Sequence, residues 1–161
     1  MRCLVKPGRS AYVYVILVYD DGPSGTPTLQ LLELAPGKTP LRTTGMWTPL
    51  PGDASFYSLP PAAGTVAFVV LTVDEAPAQD EIVVGLDRVS RKLASGAALE
   101  ALPRGRTLWY RSEKKAWTTG SSEVASDAAA TVLGSVCEQV RALFGDRGVA
   151  MGGVAASCAR P

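Results

Sequence analysis

Runs of apolar residues divide the chain into a β-rich first half and a mixed helical second half. Tyr12–Tyr19 is a continuous series of aromatic, β-branched and aliphatic residues, and Thr65–Val73 is a second such series. A strand that is apolar at every position is typically buried on both of its faces. Turn-forming residues follow the first series in Asp20–Gly25, and Thr28–Leu34 predicts a return strand.

Two stretches of the second half have the residue spacing of amphipathic helices. Over residues 80–94, apolar residues recur at helical intervals, and acidic residues stand at the start, where they suit the positive end of the helix dipole. Residues 126–144 carry a second apolar stripe, with Ser126 as the expected N-cap and Gly145 as the expected C-cap glycine. Between these helices, the segments 107–111 and 116–118 predict a short hairpin.

Together these elements predict one α+β domain that spans residues 1–161. Its β-rich half covers residues 1–77, its mixed helical half covers residues 78–145, and a small-residue tail covers residues 146–161. The tail fits either a last strand or a loose end. The expected architecture is an antiparallel β-sandwich-like sheet core with the two amphipathic helices packed on one face or at one end.

The chain contains no histidine, and its net charge is only +1. The absence of histidine excludes more kinds of catalytic and metal site than the net charge does. Without histidine the chain lacks the usual general base near neutral pH and the commonest zinc ligand, so no catalytic, cofactor or metal site is expected. The remaining enzymatic alternative uses carboxylates with arginine, such as Asp74 and Glu75 with Arg88. The basic residues between Arg104 and Lys115 are interpreted as a solvated face, so nucleic acid is not an expected partner.

The three cysteines, Cys3, Cys137 and Cys158, have neither CxxC pairing nor metal-ligand spacing. Buried thiols are the favoured interpretation. The alternative is a disulfide, first of all between Cys137 and Cys158, which would tie the tail to the second helix in an oxidising compartment. Cys3 is a further candidate for such a pairing, and the sequence does not decide between these possibilities.

No transmembrane helix is expected, because the longest apolar run, Ala11–Tyr19, is about half of the ~20 residues that a spanning helix needs. The localisation stays open. The chain as it begins indicates the cytoplasm, whereas a leader or anchor preceding Met1 would make the protein periplasmic or otherwise extracytoplasmic.

Three tryptophans, Trp47, Trp109 and Trp117, lie in predicted loop or hairpin settings. They are interpreted either as core residues that close the ends of the sheet or as anchors for another protein, since exposed tryptophan is frequent at interfaces. A patch at Trp47, or at Trp109 and Trp117, is the best functional indication in the sequence.

Residues 5–77 contain a characteristic order of structural landmarks. Pro7 and Gly8 precede an apolar strand that contains Tyr12–Tyr14, an acidic turn with glycine follows at Asp20–Gly22, and Pro60–Thr65 leads into another apolar strand. This order resembles the domain-of-unknown-function family 4384, whose members occur as accessory modules of bacterial proteins beside protease-like, kinase-like or membrane-anchored regulatory regions. The resemblance implies a β-sandwich-like module without a catalytic centre.

The expected function is therefore that of a non-catalytic protein-binding or regulatory accessory module of a bacterial multi-component system. The expected partner is another protein. One alternative is the soluble extracytoplasmic part of an anchored lipoprotein in an envelope or secretion assembly. A carboxylate-based enzyme is the third possibility.

Overall fold

The structure is a computed structural model, and it describes residues 3–20, 27–32, 40–52, 56–58, 65–93, 108–111, 116–119, 122–123, 132–145, 147 and 150–157. Within these ranges the chain forms ten strands and two helices. The strands are β1 (Cys3–Val5), β2 (Ala11–Asp20), β3 (Pro27–Leu32), β4 (Leu41–Thr43), β5 (Thr48–Leu50), β6 (Thr65–Val73), β7 (Leu108–Arg111), β8 (Ala116–Thr119), β9 (Ser122–Glu123) and β10 (Ala150–Ser157). The helices are α1 (Gln79–Lys92) and α2 (Val132–Phe144).

Eight of these strands form one open antiparallel sheet. Their order is β3-β2-β6-β10-β7-β8-β9, and β4 pairs with the first residues of β2. The remaining two strands, β1 and β5, form a separate two-stranded ribbon. The predicted α+β class and the antiparallel sheet are confirmed. The described residues show one open sheet, and they do not show the two stacked sheets of a sandwich.

Strand β2 is the centre of the fold because its side chains fill a core on each face of the sheet. The residues from Val13 to Val18 are at most 1% exposed. Since side chains alternate along a strand, Tyr14 and Ile16 belong to the core under the helices, and Val15 belongs to the core on the other face. The prediction of a strand buried on both faces is confirmed.

Both helices pack on the same face of the sheet, as one of the predicted arrangements requires. The buried stripe of α1 and that of α2 join the core cluster formed by β2, β6 and β10. Helix α2 ends at Phe144, and Gly145 follows with φ of +57°, which confirms the predicted C-cap glycine. The predicted helix start at Ser126 lies outside the described residues.

The small-residue tail contains strand β10, which lies inside the sheet between β6 and β7. Residues Ala150–Ser157 pair antiparallel with Thr65–Thr72 along their whole length. Of the two predicted states of the tail, a last strand is therefore the one observed over these residues. Among the described residues, neither helix is both long and apolar enough to cross a membrane.

Candidate functional site

The β1–β5 ribbon is joined along both chain segments to the β2–β4 pair of the main sheet, through residues 6–10 on one side and residues 44–47 on the other. The pairing of β1 with β5 reaches Val5 and Thr48, and pairing resumes between β2 and β4 at Ala11 and Thr43. Five residues of the first segment therefore lie opposite four residues of the second. No ladder pairing is present among the described residues of these two connections, which join the two-stranded ribbon to the main sheet.

Local contacts involve both of these connections. Gly45 has φ of +81°, a left-handed conformation that glycine adopts without steric cost. The Thr48 hydroxyl donates a hydrogen bond to the Met46 carbonyl oxygen at 3.1 Å. On the other segment, the Arg9 guanidinium contacts the Asp74 carboxylate at 2.6 Å, which connects the ribbon to the end of β6. These contacts connect the turn to β5 and the opposite connection to the end of β6.

This turn presents two large apolar side chains to solvent. Trp47 is 66% exposed and Met46 is 72% exposed. The Lys6 ammonium lies 5.8 Å from the centroid of the Trp47 ring, a cation–π distance. We call Lys6, Met46 and Trp47 the Trp47 patch. The sequence indicated Trp47, which follows Met46 directly, but the position of Lys6 beside the Trp47 ring became visible only in the structure.

A second cation lies beside an aromatic ring further along the same two chain segments. Arg42 is exposed, and its guanidinium carbon lies 5.6 Å from the centroid of the Tyr12 ring, on the strand opposite. Among the described residues, neither Arg42 nor Lys6 forms an ion pair with a carboxylate. These two segments therefore carry two cations whose charges are not neutralised by described neighbours.

The other two candidate tryptophans lie in a different part of the sheet. Trp109 is in β7 opposite Thr118, and Trp117 is in β8 opposite Tyr110. Strands β6 and β10 separate β7 from β2, so the backbone places this hairpin away from the Trp47 patch. The side chains of Trp109 and Trp117 are outside what the structure describes, so their role as partner-binding residues stays a prediction.

The groups with clearly shifted pKa values lie in the core under the helices, away from the Trp47 patch. Burial raises the pKa of the Cys137 thiol to about 12, with a smaller contribution from Glu138. Burial also raises the pKa of Tyr14 to about 12, against the opposing effect of Arg147. Cys137 is fully buried and forms no disulfide with a described residue, whereas Cys158 lies outside the described residues. The disulfide between them stays a prediction.

The three residues of the carboxylate alternative, Asp74, Glu75 and Arg88, are all exposed in the structure. Asp74 pairs with Arg9, and Arg88 lies on the exposed side of α1. Among the described residues, no three His, Cys, Asp or Glu side chains gather in a group that could hold a metal ion.

Comparisons of the chain with protein-family models, curated proteins and solved structures find no match. The resemblance of residues 5–77 to family 4384 therefore stays a prediction.

Proposed function

We propose that this protein is a non-catalytic protein-binding module that recognises its partner through the Trp47 patch. The observation that carries the proposal is the two-thirds exposure of Trp47, next to a turn that contains a hydrogen bond from Thr48 to Met46. Exposed tryptophan supplies much apolar area with few rotatable bonds, and such residues frequently dominate the energy of an interface.

Two further observations support a binding function rather than catalysis. The chain contains no histidine, and the carboxylate of Asp74 is engaged by Arg9. Both fit an accessory or regulatory module of a bacterial multi-component system, which is the role that the resemblance to family 4384 implies.

We also propose that the β1–β5 ribbon is the second layer of the sandwich-like core. Leu50 of β5 is fully buried, and it packs in the same cluster as Val15 and Leu17 of the central strand. Tyr57 is buried in this cluster too. The ribbon that carries the Trp47 patch therefore rests on the second face of the sheet, opposite the helices.

A site-specific photo-crosslinker tests the proposed function. It is introduced at Met46 in the full chain, in cells of the source organism, and the adducts are identified by mass spectrometry. The matched control is the same crosslinker at Gln30, an exposed position on β3. We expect a discrete protein adduct from position 46 that is lost when Trp47→Ala is added. Absence of an adduct from position 46, or the same adducts from both positions, would contradict the proposal.

A further inference from the structure

Helix α1 carries a second exposed apolar surface, which lies beside the acidic first turn of the helix. Val83 and Val84 are 50% and 57% exposed. Asp80 and Glu81 precede them in the first turn of the helix, and both are exposed. The described residues form no ion pair with either acid. We call these four residues the α1 outer face.

We propose that the Trp47 patch of one copy of this chain docks on the α1 outer face of a second copy. This inference rests on the proposed function, because it names the partner of the same patch.

The charges of the two surfaces complement each other. Lys6 and Arg42 are the cations on and beside the Trp47 patch, and Asp80 and Glu81 are the anions of the α1 outer face. The later turns of α1 carry basic residues, Arg88, Arg91 and Lys92, and Arg91 pairs with Asp87, so the negative charge of this helix is concentrated in its first turn. Docking would place two cations and two anions, none of which forms an ion pair with a described residue, against each other while it covers the apolar side chains between them.

The position of the two surfaces determines the type of assembly. Helix α1 packs on one face of the sheet, and the β1–β5 ribbon packs against the core on the other face. One copy is therefore able to offer its Trp47 patch to one neighbour and its α1 outer face to another. A contact between two different surfaces is heterologous, and it leads to a ring or an open chain of subunits rather than to a closed two-fold dimer.

The size of the two surfaces determines how strong the association between two copies is expected to be. Stable interfaces bury about 800 Å² on each partner, and the exposed parts of four apolar side chains supply only a fraction of that area. We therefore expect weak association that is visible at high protein concentration. An anionic bilayer is a less fitting occupant of the Trp47 patch, because surfaces that bind anionic lipid usually gather about four to eight basic residues.

Sedimentation equilibrium of the full chain from micromolar to millimolar concentration tests the inference. We expect the average mass of the wild type to rise with concentration and to rise less at high salt. Each one-sided variant, Lys6→Ala with Arg42→Ala or Asp80→Ala with Glu81→Ala, should remain monomeric. An equimolar mixture of the two should form a dimer and nothing larger, because only one intact surface of each kind is left. Circular dichroism checks that both variants are folded, and Trp47→Ala provides a second one-sided variant that leaves all charges in place.

A wild type that stays monomeric at millimolar concentration would overturn the inference. So would a mixture of the one-sided variants that fails to associate, or patch-dependent binding to vesicles of anionic lipid by a monomeric chain. A monomeric wild type whose position 46 still crosslinks to a different protein would leave the proposed function standing. Lack of any adduct at position 46 would instead remove the proposed function itself.

Discussion

Gly85 of α1 and Leu143 of α2 approach so closely that a Cβ atom on Gly85 would lie 2.9 Å from both methyl carbons of Leu143. Such a distance is shorter than carbon atoms tolerate, so the absence of a side chain at Gly85 permits this contact between the helices. Gly85 is buried, and it belongs to the side of α1 that faces the core.

Replacing Gly85→Leu is expected to lower the free energy of unfolding by about 1–3 kcal/mol, because an overpacked core forces neighbouring side chains or helices to move. Gly85→Ala should have a much smaller effect, since alanine favours a helix by roughly 0.5–1 kcal/mol over glycine and only the flexible end of Leu143 must shift. Urea unfolding measures both changes.

The matched control is Val84→Leu, one residue earlier on the exposed side of α1. It should change stability by less than about 0.5 kcal/mol, as surface substitutions usually do. Adding Leu143→Ala to Gly85→Leu should restore part of the lost stability, because the shorter side chain leaves room. Equal losses for Gly85→Leu and Val84→Leu would show that the helices do not approach in this way.

Tyr14 carries a buried hydroxyl that has no hydrogen-bond partner among the described residues, while its ring packs against Phe144 at a centroid distance of 5.2 Å. Removing the hydroxyl keeps the ring contact and removes an unsatisfied polar group. Tyr14→Phe should therefore maintain or raise the free energy of unfolding, by up to about 1 kcal/mol. Urea unfolding at neutral pH, with Tyr19→Phe as the partly exposed control, measures the change. A clear loss of stability would mean that the hydroxyl has a hydrogen-bond partner.

Because the Cys137 thiol is buried, the free energy of unfolding is expected to fall at alkaline pH. Its pKa in the folded protein is about 12, above the ordinary value of 9.0, so the folded state keeps a proton that the unfolded state releases. The stabilisation is complete below pH 9 and is lost as the pH rises toward 12, at up to about 1.4 kcal/mol per pH unit.

Cys137→Ala removes this group, so the stability difference between wild type and variant should narrow as the pH rises above 9. Urea unfolding at several pH values from 8 to about 10.5 measures the trend. The Cys137 thiol should also react with iodoacetamide only after denaturation, because it is fully buried. A peptide that joins Cys137 to Cys158 in a non-reduced digest would instead establish the predicted disulfide.

The sequence predicted the central elements well because their signals are local. Tyr12–Tyr19 and Thr65–Val73 are apolar at nearly every position, and both are strands over these residues. The spacing of the apolar residues in 80–94 likewise predicted α1, which spans Gln79–Lys92. In each of these segments the residue pattern and the tertiary environment favour the same structure.

The strand β10 and the Trp47 patch depend on contacts between distant segments. Glycine and alanine have low strand propensity, so Ala150–Ser157 becomes a strand because β6 and β7 provide pairing on both sides. The contact between Lys6 and Trp47 joins residues from two segments that are brought together by the pairing of β1 with β5 and of β2 with β4. Such a contact leaves no pattern in either segment alone.

The ion pair between Arg9 and Asp74 should contribute little to stability despite its short distance of 2.6 Å. Their side chains are 69% and 40% exposed, so water and salt weaken the attraction. A double-mutant cycle with Arg9→Ala and Asp74→Ala should give a coupling energy of about 0.2–1 kcal/mol that decreases at high salt. A larger coupling that is insensitive to salt would show that the pair is shielded from solvent.

Trp47 is expected to matter for binding and not for folding. Because most of its side chain is exposed, Trp47→Ala should change the free energy of unfolding by no more than about 1 kcal/mol, including the loss of its contact with Lys6. Leu50→Ala, three residues later on β5, should cost about 2–5 kcal/mol, because Leu50 is fully buried. Urea unfolding of both variants measures the contrast. A large loss for Trp47→Ala would place its ring in the core and exclude it as an anchor for a partner.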